Sequence, residues 1–156
     1  MRKIKESDID NIVRMIDEAR PEMKELTGDQ WQDGKPNRDS ILEYLRLGTG
    51  FIDESEKAFL AIKIDDVDYK ELLKSPYAVI HSVVSDKSAR GKGYVKKLFK
   101  EIEQYLIGEG IKIIGIDTHP KNIKMLSLID KSGYKELGDV YIEGTKYRIA
   151  FYKEII

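Results

Sequence analysis

Residues 77–108 read as an apolar strand, a glycine-containing basic turn and a helix. Apolar side chains occupy both faces of the predicted strand at residues 77–85, so we expect it to be central and covered on both sides. From Val95 onward, apolar residues recur at intervals of three and four, which predicts a helix with one apolar face. A second apolar strand follows at residues 111–117, so the unit must be a right-handed crossover between two parallel strands. This requirement restricts the fold to sheets that contain a parallel pair.

The turn Arg90-Gly91-Lys92-Gly93 has the composition of a phosphate site. Glycines let the backbone approach a ligand closely, and a helix N-terminus presents several N–H groups with partial positive charge. The dinucleotide-binding fingerprint is excluded, because Lys96 stands where its third glycine is required. A Walker-type loop is also absent. A tight strand-to-helix turn with solvated charges is the alternative interpretation.

The remaining segments predict antiparallel strands and further helices. Strands are expected at residues 2–5, 51–53, 58–62, 134–142 and 146–154, and helices at residues 8–19, after Asn37, and between Pro120 and Gly133. The first helix is expected to begin at a capping box of Ser7 and Asp10 and to stop near Pro21. Residues 71–73 predict one isolated helical turn.

The resulting order of elements is β-α-α-β-β-β-α-β-α-β-β. It predicts a mixed α/β (α+β) fold, in which a mostly antiparallel central sheet contains the parallel strand-helix-strand unit at 77–117 and is flanked by helices. The chain of 156 residues, with 41% apolar and 35% charged residues, predicts one globular domain over residues 1–156.

Charge and cysteine content exclude several classes of function. Lysine and arginine number 27 against 28 acidic residues, so nothing global favours a nucleic-acid partner or an anionic membrane. Without cysteine the chain has no disulfide, no thiolate metal site and no cysteine nucleophile. The N-terminal residues lack the apolar run of a signal peptide, and no segment is apolar enough to span a bilayer. We therefore expect a cytoplasmic protein.

Residues 77–134 resemble the GNAT superfamily of acyl-CoA-dependent N-acetyltransferases. The family signature, Arg/Gln-x-x-Gly-x-Gly/Ala at the start of a helix, corresponds to Arg90-Gly91-Lys92-Gly93-Tyr94-Val95, with Val95 in place of the last glycine or alanine. The family also has an asparagine that begins a later helix, followed eleven and twelve residues on by glycine and an aromatic residue. Asn122 with Gly133-Tyr134 keeps that spacing. The resemblance implies a GNAT-like acyl-CoA N-acyltransferase fold over nearly the whole chain.

The resemblance also implies a cofactor site for acetyl-CoA, a co-substrate, and no metal. The pantetheine arm would pair with strand backbone, the pyrophosphate would take the N–H groups of residues 90–95, and an asparagine would hydrogen-bond the arm from the other side. The expected cofactor-binding residues are Val83, Val84, Ser85, Arg90, Gly91, Lys92, Gly93, Tyr94, Val95 and Asn122.

Two histidines are candidates for removing a proton from the acceptor amine. His119 follows a predicted strand at its C-terminal end, where ligands gather in such sheets. Its alternative role is to cap the helix that begins at Pro120. His81 lies mid-strand among apolar neighbours, so we expect a packed, hydrogen-bonded histidine or a contact to the acceptor substrate.

The family often protonates the departing thiolate with a tyrosine seven residues after the helix-opening asparagine. That position is Ile129 here. The proton donor is therefore expected to be water or another tyrosine, such as Tyr141.

The only tryptophan, Trp31, lies in a polar loop beside Gln30. One interpretation is a ring that seals the core between the first two helices. The other is a wall of the acceptor site, with Gln30 offering hydrogen bonds, since this region of the family covers the substrate groove.

These observations predict an N-acetyltransferase in which an amine attacks acetyl-CoA directly. A small primary amine is the expected acceptor, and a protein or peptide amine is the competing class. A sensor that binds acyl-CoA without turnover is the alternative supported by the missing tyrosine. Nucleic-acid binding through the exposed lysines of the helix after Gly93 is disfavoured by the near-neutral charge. A homodimer is retained as one option for assembly.

Overall fold

The computed structural model describes residues 1–156, which form seven strands and four helices. In chain order these are β1 (Arg2–Lys3), α1 (Ile9–Thr27), α2 (Arg38–Leu47), β2 (Gly50–Ile52), β3 (Ala58–Ile64), β4 (Ala78–Ser85), α3 (Tyr94–Gly108), β5 (Ile113–Thr118), α4 (Ile123–Lys131), β6 (Lys135–Ile142) and β7 (Lys146–Glu154). Short 3₁₀ turns lie at Glu6–Asp8, Val67–Tyr69 and Lys87–Ala89. The predicted order of elements is confirmed.

All seven strands belong to one sheet, in the order β1-β2-β3-β4-β5-β7-β6. Strands β4 and β5 pair in parallel, whereas β1–β2, β2–β3, β5–β7 and β6–β7 are antiparallel. The mixed, mostly antiparallel sheet and its parallel unit are therefore confirmed. The parallel ladder joins Ala78–Ile80 to residues 114–116, although β4 continues to Ser85 and β5 to Thr118. Residues 83–85 thus lie beyond that ladder.

By its internal contacts the chain divides into two compact units. The first unit comprises Met1–Ala61 and Ser82–Phe99. Its core is built from the apolar faces of α1 and α2 and from strand residues, and contains Ile12, Ile16, Ile41, Ile52, Phe59 and Val84. Asn37 caps α2 as predicted: its side chain accepts a hydrogen bond from the Ser40 backbone N–H, and the Ser40 hydroxyl accepts one from the Asn37 backbone N–H.

The start of α1 differs from the prediction. The box of Ser7 and Asp10 does not form, because the buried Asp8 carboxylate serves this end of the chain. Asp8 accepts hydrogen bonds from the Lys5 backbone N–H at 2.7 Å and from both terminal nitrogens of Arg2 at 2.7 and 2.9 Å. Arg2 and the backbone donor hold the pKa of Asp8 below its ordinary value, although burial opposes them.

The end of α1 was also predicted wrongly, because the helix continues through Pro21 to Thr27. Proline removes one backbone donor, but strong helix formers follow it between residues 22 and 26. Arg20 fixes this part of the helix, since its guanidinium donates to the carbonyls of Trp31 and Pro36, both at 2.6 Å.

The second unit comprises Ile62–His81 and Lys100–Ile156. Its apolar cluster includes Tyr69, Tyr77, Val79, Val140 and Ala150. The predicted helical turn at residues 71–73 is replaced by the 3₁₀ turn at Val67–Tyr69, since the ring of Tyr69 is completely buried. It packs against Gly115, where an added Cβ would come within 3.1 Å of the ring.

Gly133 ends α4 where the sequence indicated. Gly133 follows the C-cap residue Ser132 with a φ of 86°, and the Tyr134 N–H bonds back to the carbonyl of Ile129. No helix is long and apolar enough to cross a membrane. The single domain over residues 1–156 stays a prediction.

Candidate active site

The C-terminal half of β4 contains a backbone irregularity at Ser82. This residue has a φ of 56°, a left-handed conformation that costs a non-glycine residue about 1–2 kcal/mol. Its hydroxyl lies 2.9 Å from the Tyr44 hydroxyl on α2, and this hydrogen bond helps to hold the conformation. Val84 is buried in the first unit, so the flanking Val83 and Ser85 point to the opposite face of the strand. This strand end is the expected pantetheine site.

Asp86 connects β4 to the turn that follows. Its side chain accepts hydrogen bonds from the backbone N–H and the hydroxyl of Ser88, and from Arg14 of α1 at 2.6 Å. Its own N–H donates to the carbonyl of Lys57 at 2.8 Å. Ser88, followed by Arg14, lowers the pKa of Asp86 far below its ordinary value. The entry to the turn is therefore fixed to α1 and to the β2–β3 connection.

The turn itself depends on two glycines. Gly91 and Gly93 have φ values of 73° and 81°, a region that L side chains rarely adopt. A Cβ placed on either glycine would meet no protein atom within 4 Å, so open space lies over this backbone. We call residues 90–96 the cradle.

The start of α3 supplies hydrogen-bond donors to the cradle. The Lys97 N–H bonds to the Gly93 carbonyl at 3.0 Å, which is the first backbone bond of the helix. The N–H groups of Tyr94, Val95 and Lys96 precede it and have no intrahelical acceptor. Donors at a helix N-terminus beneath open space can accept an anion.

The two expected cationic side chains of the cradle differ. Arg90 lies against Glu22 of α1, with its Nη1 at 2.5 and 2.6 Å from the two carboxylate oxygens. Lys92 is exposed. The charge of Arg90 is therefore largely balanced by a carboxylate, whereas Lys92 presents its charge to solvent.

The second unit contains an acid–imidazole pair: His81 is hydrogen-bonded, as one interpretation expected, but its partner Asp66 was not indicated by the sequence. Nε2 of His81, on β4, lies 2.6 Å from Oδ2 of Asp66. The Asp66 side chain is only 2% exposed, while that of His81 is 27% exposed. Burial raises the pKa of Asp66, but His81 outweighs burial through its hydrogen bond and charge, and the pKa lies below the ordinary value.

A second buried pair lies beside it. The Tyr69 hydroxyl donates to Oδ2 of Asp117, on β5, at 2.6 Å. Burial raises the pKa of Asp117 above its ordinary value, even though Tyr69 and the charge of His81 oppose the shift. Burial and the Asp117 carboxylate raise the pKa of Tyr69 well above its ordinary value. We call Asp66, Tyr69, His81 and Asp117 the polar cluster.

His119 and Asn122 both act on the start of α4. Nδ1 of His119 accepts a hydrogen bond from the Lys121 backbone N–H at 3.0 Å, so the predicted capping interaction is present. Asn122 is buried at the N-cap, where its Oδ1 accepts from the Met125 N–H at 3.2 Å.

The other predicted site residues are spread over separate elements. Tyr141 lies on β6 with its side chain 54% exposed, 5.7 Å from the Tyr147 ring between centroids. Trp31 is partly buried against the core of the first unit, as one interpretation of this residue expected. Gln30 precedes it in the α1–α2 connection, where its N–H donates to the Thr27 hydroxyl.

Sequence reasoning missed Asp66, Tyr69, Tyr44 and the conformation of Ser82. Asp66 and His81 are 15 residues apart, and Tyr69 and Asp117 are 48 apart. The only local indication was an acidic turn, in which Oδ1 of Asp66 accepts the Asp68 N–H. No group of three or more His, Asp or Glu side chains is arranged to hold a metal ion.

Known structures place this geometry in a family. A GNAT family acetyltransferase from Streptococcus agalactiae superposes with a TM-score of 0.85 at 26% identity, covering 98% of this chain and 93% of its own. The ribosomal-protein-alanine N-acetyltransferase of Brucella melitensis gives 0.72 at 15% identity, covering 98% of each chain. YncA of Salmonella typhimurium, provisionally assigned as an acetyltransferase and solved with its cofactor acetyl-CoA, gives 0.71 at 14%, covering 99% and 92%. The last two show similarity of fold alone.

Sequence comparison identifies the family directly. No curated protein sequence matches the chain. The family model described as "Acetyltransferase (GNAT) family" matches residues 15–134, which include β4, the cradle and the start of α4. The chain therefore belongs to the GNAT acetyltransferase family and is an acyltransferase.

Proposed function

We propose that the protein transfers the acetyl group of acetyl-CoA directly to the primary amine of a small molecule. The observation that carries this proposal is the cradle of a GNAT family member. Two glycines with positive φ leave open space above N–H groups that no intrahelical acceptor uses. Such a site suits the charge of a pyrophosphate, because backbone donors and the helix dipole stabilise negative charge there.

Acetyl-CoA would follow the chain from the cradle back along β4. Its pyrophosphate is assigned to the N–H groups of residues 90–95, and its pantetheine arm to the backbone of Val83, Val84 and Ser85. The parallel ladder ends at Ile80, so the backbone of these three residues takes no part in that ladder. We assign the amide group of Asn122 to the pantetheine arm.

Acetyl-CoA supplies an acyl group activated as a thioester, and the chain must position an amine and accept its proton. Direct attack is favoured because the chain has no cysteine for a thiol relay. His119 and Tyr141 are the sequence-based candidates for proton transfer. His81, Gln30 and Trp31 are the candidates for binding the acceptor.

The acceptor class is the finer part of this proposal. A GNAT fold similar to this one is that of a ribosomal-protein-alanine N-acetyltransferase, so a peptide amine is tested beside small amines. Binding of acetyl-CoA without turnover would instead indicate a sensor. Cytoplasmic location and a homodimer stay predictions.

Thermal unfolding with acetyl-CoA tests the cofactor assignment first. At about one hundred times its dissociation constant, a ligand of the native state stabilises by roughly 2.7 kcal/mol. No shift at saturating acetyl-CoA would contradict the proposal. The thermal shift with desulfo-CoA, which lacks the thioester, reports binding of the nucleotide part alone. Its difference from the shift with acetyl-CoA reports recognition of the thioester.

Release of the CoA thiol then tests transfer. The panel contains spermidine, tryptamine, L-lysine, glycinamide and a tetrapeptide with N-terminal alanine. Turnover with a small amine supports the proposal, and turnover with the tetrapeptide alone would assign a peptide acceptor. A clear thermal shift without thiol release from any amine would support the sensor.

A further inference from the structure

We propose that His81 is the proton acceptor for the attacking amine, with Asp66 as the residue that positions its ring. The inference rests on the proposed function and assigns a chemical step within it. The sequence left both histidines as candidates for this proton, with His119 as the catalytic candidate and His81 as a packed, hydrogen-bonded residue or an acceptor contact; the inference selects His81. The two imidazole rings of the chain differ in the hydrogen bonds that they make.

The tautomer of His81 follows from its partner. An ionised carboxylate accepts hydrogen bonds but cannot donate one. Asp66 is ionised, because its other oxygen accepts the Asp68 backbone N–H and an aspartate ordinarily loses its proton at about pH 4. The proton shared at 2.6 Å must therefore reside on Nε2 of His81, which leaves the lone pair of a neutral ring on Nδ1. Nδ1 makes no hydrogen bond in the structure.

The His119 ring is in the opposite situation. Its Nδ1 already accepts the Lys121 backbone N–H at 3.0 Å, so that lone pair is engaged. In neutral imidazole the other nitrogen then carries the proton and can only donate. His119 would have to give up this hydrogen bond before it could take a proton from an amine, whereas His81 would give up nothing.

The position of His81 along β4 suits this role. The cradle lies after the C-terminal end of β4, and the pantetheine arm is assigned to residues 83–85. The thioester would therefore lie on the N-terminal side of Val83, next to Ser82 and His81, which precede Val83 in β4. Strand residues rise about 3.3 Å each, which brings His81 within one or two residues of that point. The ring is partly exposed, so a substrate amine can reach it.

Charged groups of the second unit surround the pair. Asp66 lies on one side, and Asp117 of β5 also acts on His81 through its charge. Tyr69 donates to Asp117, while Arg148 acts on Asp117 and Lys63 acts on Asp66. Asp66 thus fixes the ring orientation and stabilises the charge that a proton creates, as an orienting carboxylate does for a basic imidazole.

The proposed step transfers one acetyl group and releases one proton. Nδ1 of His81 takes one proton from the ammonium form of the acceptor, and the nitrogen lone pair forms a bond to the thioester carbonyl carbon. As the C–S bond breaks, the nitrogen loses its second proton and the sulfur gains one as the CoA thiol. The imidazolium returns its proton to water. The products are the acetylated amine, the CoA thiol and one proton.

Kinetics of His81→Gln and Asp66→Asn test the inference. They are measured with an amine of the panel that the wild-type protein acetylates. His81→Gln should lower kcat/KM about 10²–10⁴-fold while acetyl-CoA still produces its thermal shift. Asp66→Asn should lower kcat less and move the acid limb of the pH profile to lower pH, because imidazolium loses its stabilising charge. Asp53→Asn is the matched control: this buried carboxylate accepts from the N–H groups of Lys57 and Ala58 and contacts no imidazole.

A second readout does not depend on turnover. Nitrogen NMR of protein labelled at its two histidines reports the tautomer of each ring. The wild type should show His81 with its proton on Nε2, and Asp66→Asn should populate the other tautomer. A proton on Nδ1 in the wild type would overturn the inference.

The outcomes separate this inference from the proposed function. A wild type that binds acetyl-CoA and acetylates no amine overturns both. An active wild type whose His81→Gln variant keeps its rate and acid limb overturns only the role of His81. An acid limb that moves equally in Asp53→Asn would also overturn it, since the shift would then follow stability.

Discussion

The cradle and the polar cluster are built in opposite ways. The cradle consists of seven consecutive residues, and its working groups are backbone N–H donors and two glycines with positive φ. The polar cluster consists of side chains from β4, β5 and the segment between β3 and β4, which meet as two hydrogen-bonded pairs of 2.6 Å. One region depends on the local chain path, and the other on long-range packing.

Substitutions are therefore expected to act differently in the two regions. A cradle residue can be replaced by an amino acid of similar polarity without effect, provided that its backbone conformation survives. A cluster residue can keep its backbone and still lose its role, because the role belongs to one oxygen or nitrogen atom. We therefore expect backbone-altering variants to separate the two regions from atom-deleting variants.

The largest effect is expected for Gly93→Val. A β-branched residue at a φ of 81° is strained, and its side chain would fill the space assigned to the pyrophosphate. The variant should lose the roughly 2.7 kcal/mol that acetyl-CoA contributes at about one hundred times its dissociation constant. The measurement is the ligand-induced shift in thermal unfolding.

Gly110→Val is the matched control. Gly110 has the same φ of 81° and also no protein atom within 4 Å of an added Cβ, but it follows the end of α3. Both variants should lose similar intrinsic stability, and only Gly93→Val should lose the shift. If both retain it, the cofactor binds elsewhere.

A smaller effect is expected for Tyr69→Phe in the polar cluster. The change removes the one hydroxyl that donates to Oδ2 of Asp117 and leaves a buried acceptor without it, which costs about 1–3 kcal/mol. Tyr147→Phe is the control, because its hydroxyl donates at 2.9 Å to the exposed Asp139. Denaturant unfolding should show a clear loss for the first variant and almost none for the second. Equal losses would mean that burial of the Tyr69 pair contributes nothing.

The two aspartates of the cluster predict pH dependences of opposite sign. The pKa of Asp66 is lower in the folded protein, so its contribution to stability is present above the unfolded value of 3.8 and is lost as pH falls below it. The pKa of Asp117 is raised, so its contribution is present below 3.8 and is lost as pH rises from there.

Unfolding free energies measured between pH 2 and pH 7 would check these signs. The stability advantage of the wild type over Asp66→Asn should shrink towards acid pH. For Asp117→Asn, the variant should gain relative to the wild type as pH rises above about 3.8. Parallel curves for both variants would contradict the two opposed shifts.

Features that depend on the local chain were predicted from the sequence better than features that depend on long-range packing. The glycines of the cradle, the cap at Asn37 and the end of α4 at Gly133 were recognised because each depends on neighbours within a few residues. The parallel pair of β4 and β5 followed from a chirality rule that needs only the order of elements. Family resemblance then located the cofactor site, which stays a prediction at the level of individual residues.

Elements fixed by tertiary contacts were predicted less well. Pro21 did not end α1, since Arg20 attaches that turn to the carbonyls of Trp31 and Pro36. The helical turn moved to Val67–Tyr69 because the Tyr69 ring fits over Gly115, 46 residues away. The pairing of His81 with Asp66 had no sequence pattern, because the two residues are 15 positions apart and meet only in the folded chain.

The smallest effect is expected for Glu22→Gln, which changes the charge of the cradle without changing its backbone. Both members of the Arg90–Glu22 pair are partly exposed, so the pair itself stabilises by about 0–1 kcal/mol. Removing the carboxylate leaves Arg90 unbalanced beside the pyrophosphate site, so acetyl-CoA should bind tighter by up to about fivefold, and the gain should fade as salt screens it. Glu43→Gln, which breaks the exposed Arg46 pair on α2, should leave affinity unchanged. Weaker binding by Glu22→Gln would mean that Glu22 positions Arg90 for the ligand, and the charge of the cradle would then depend on a distant side chain as the polar cluster does.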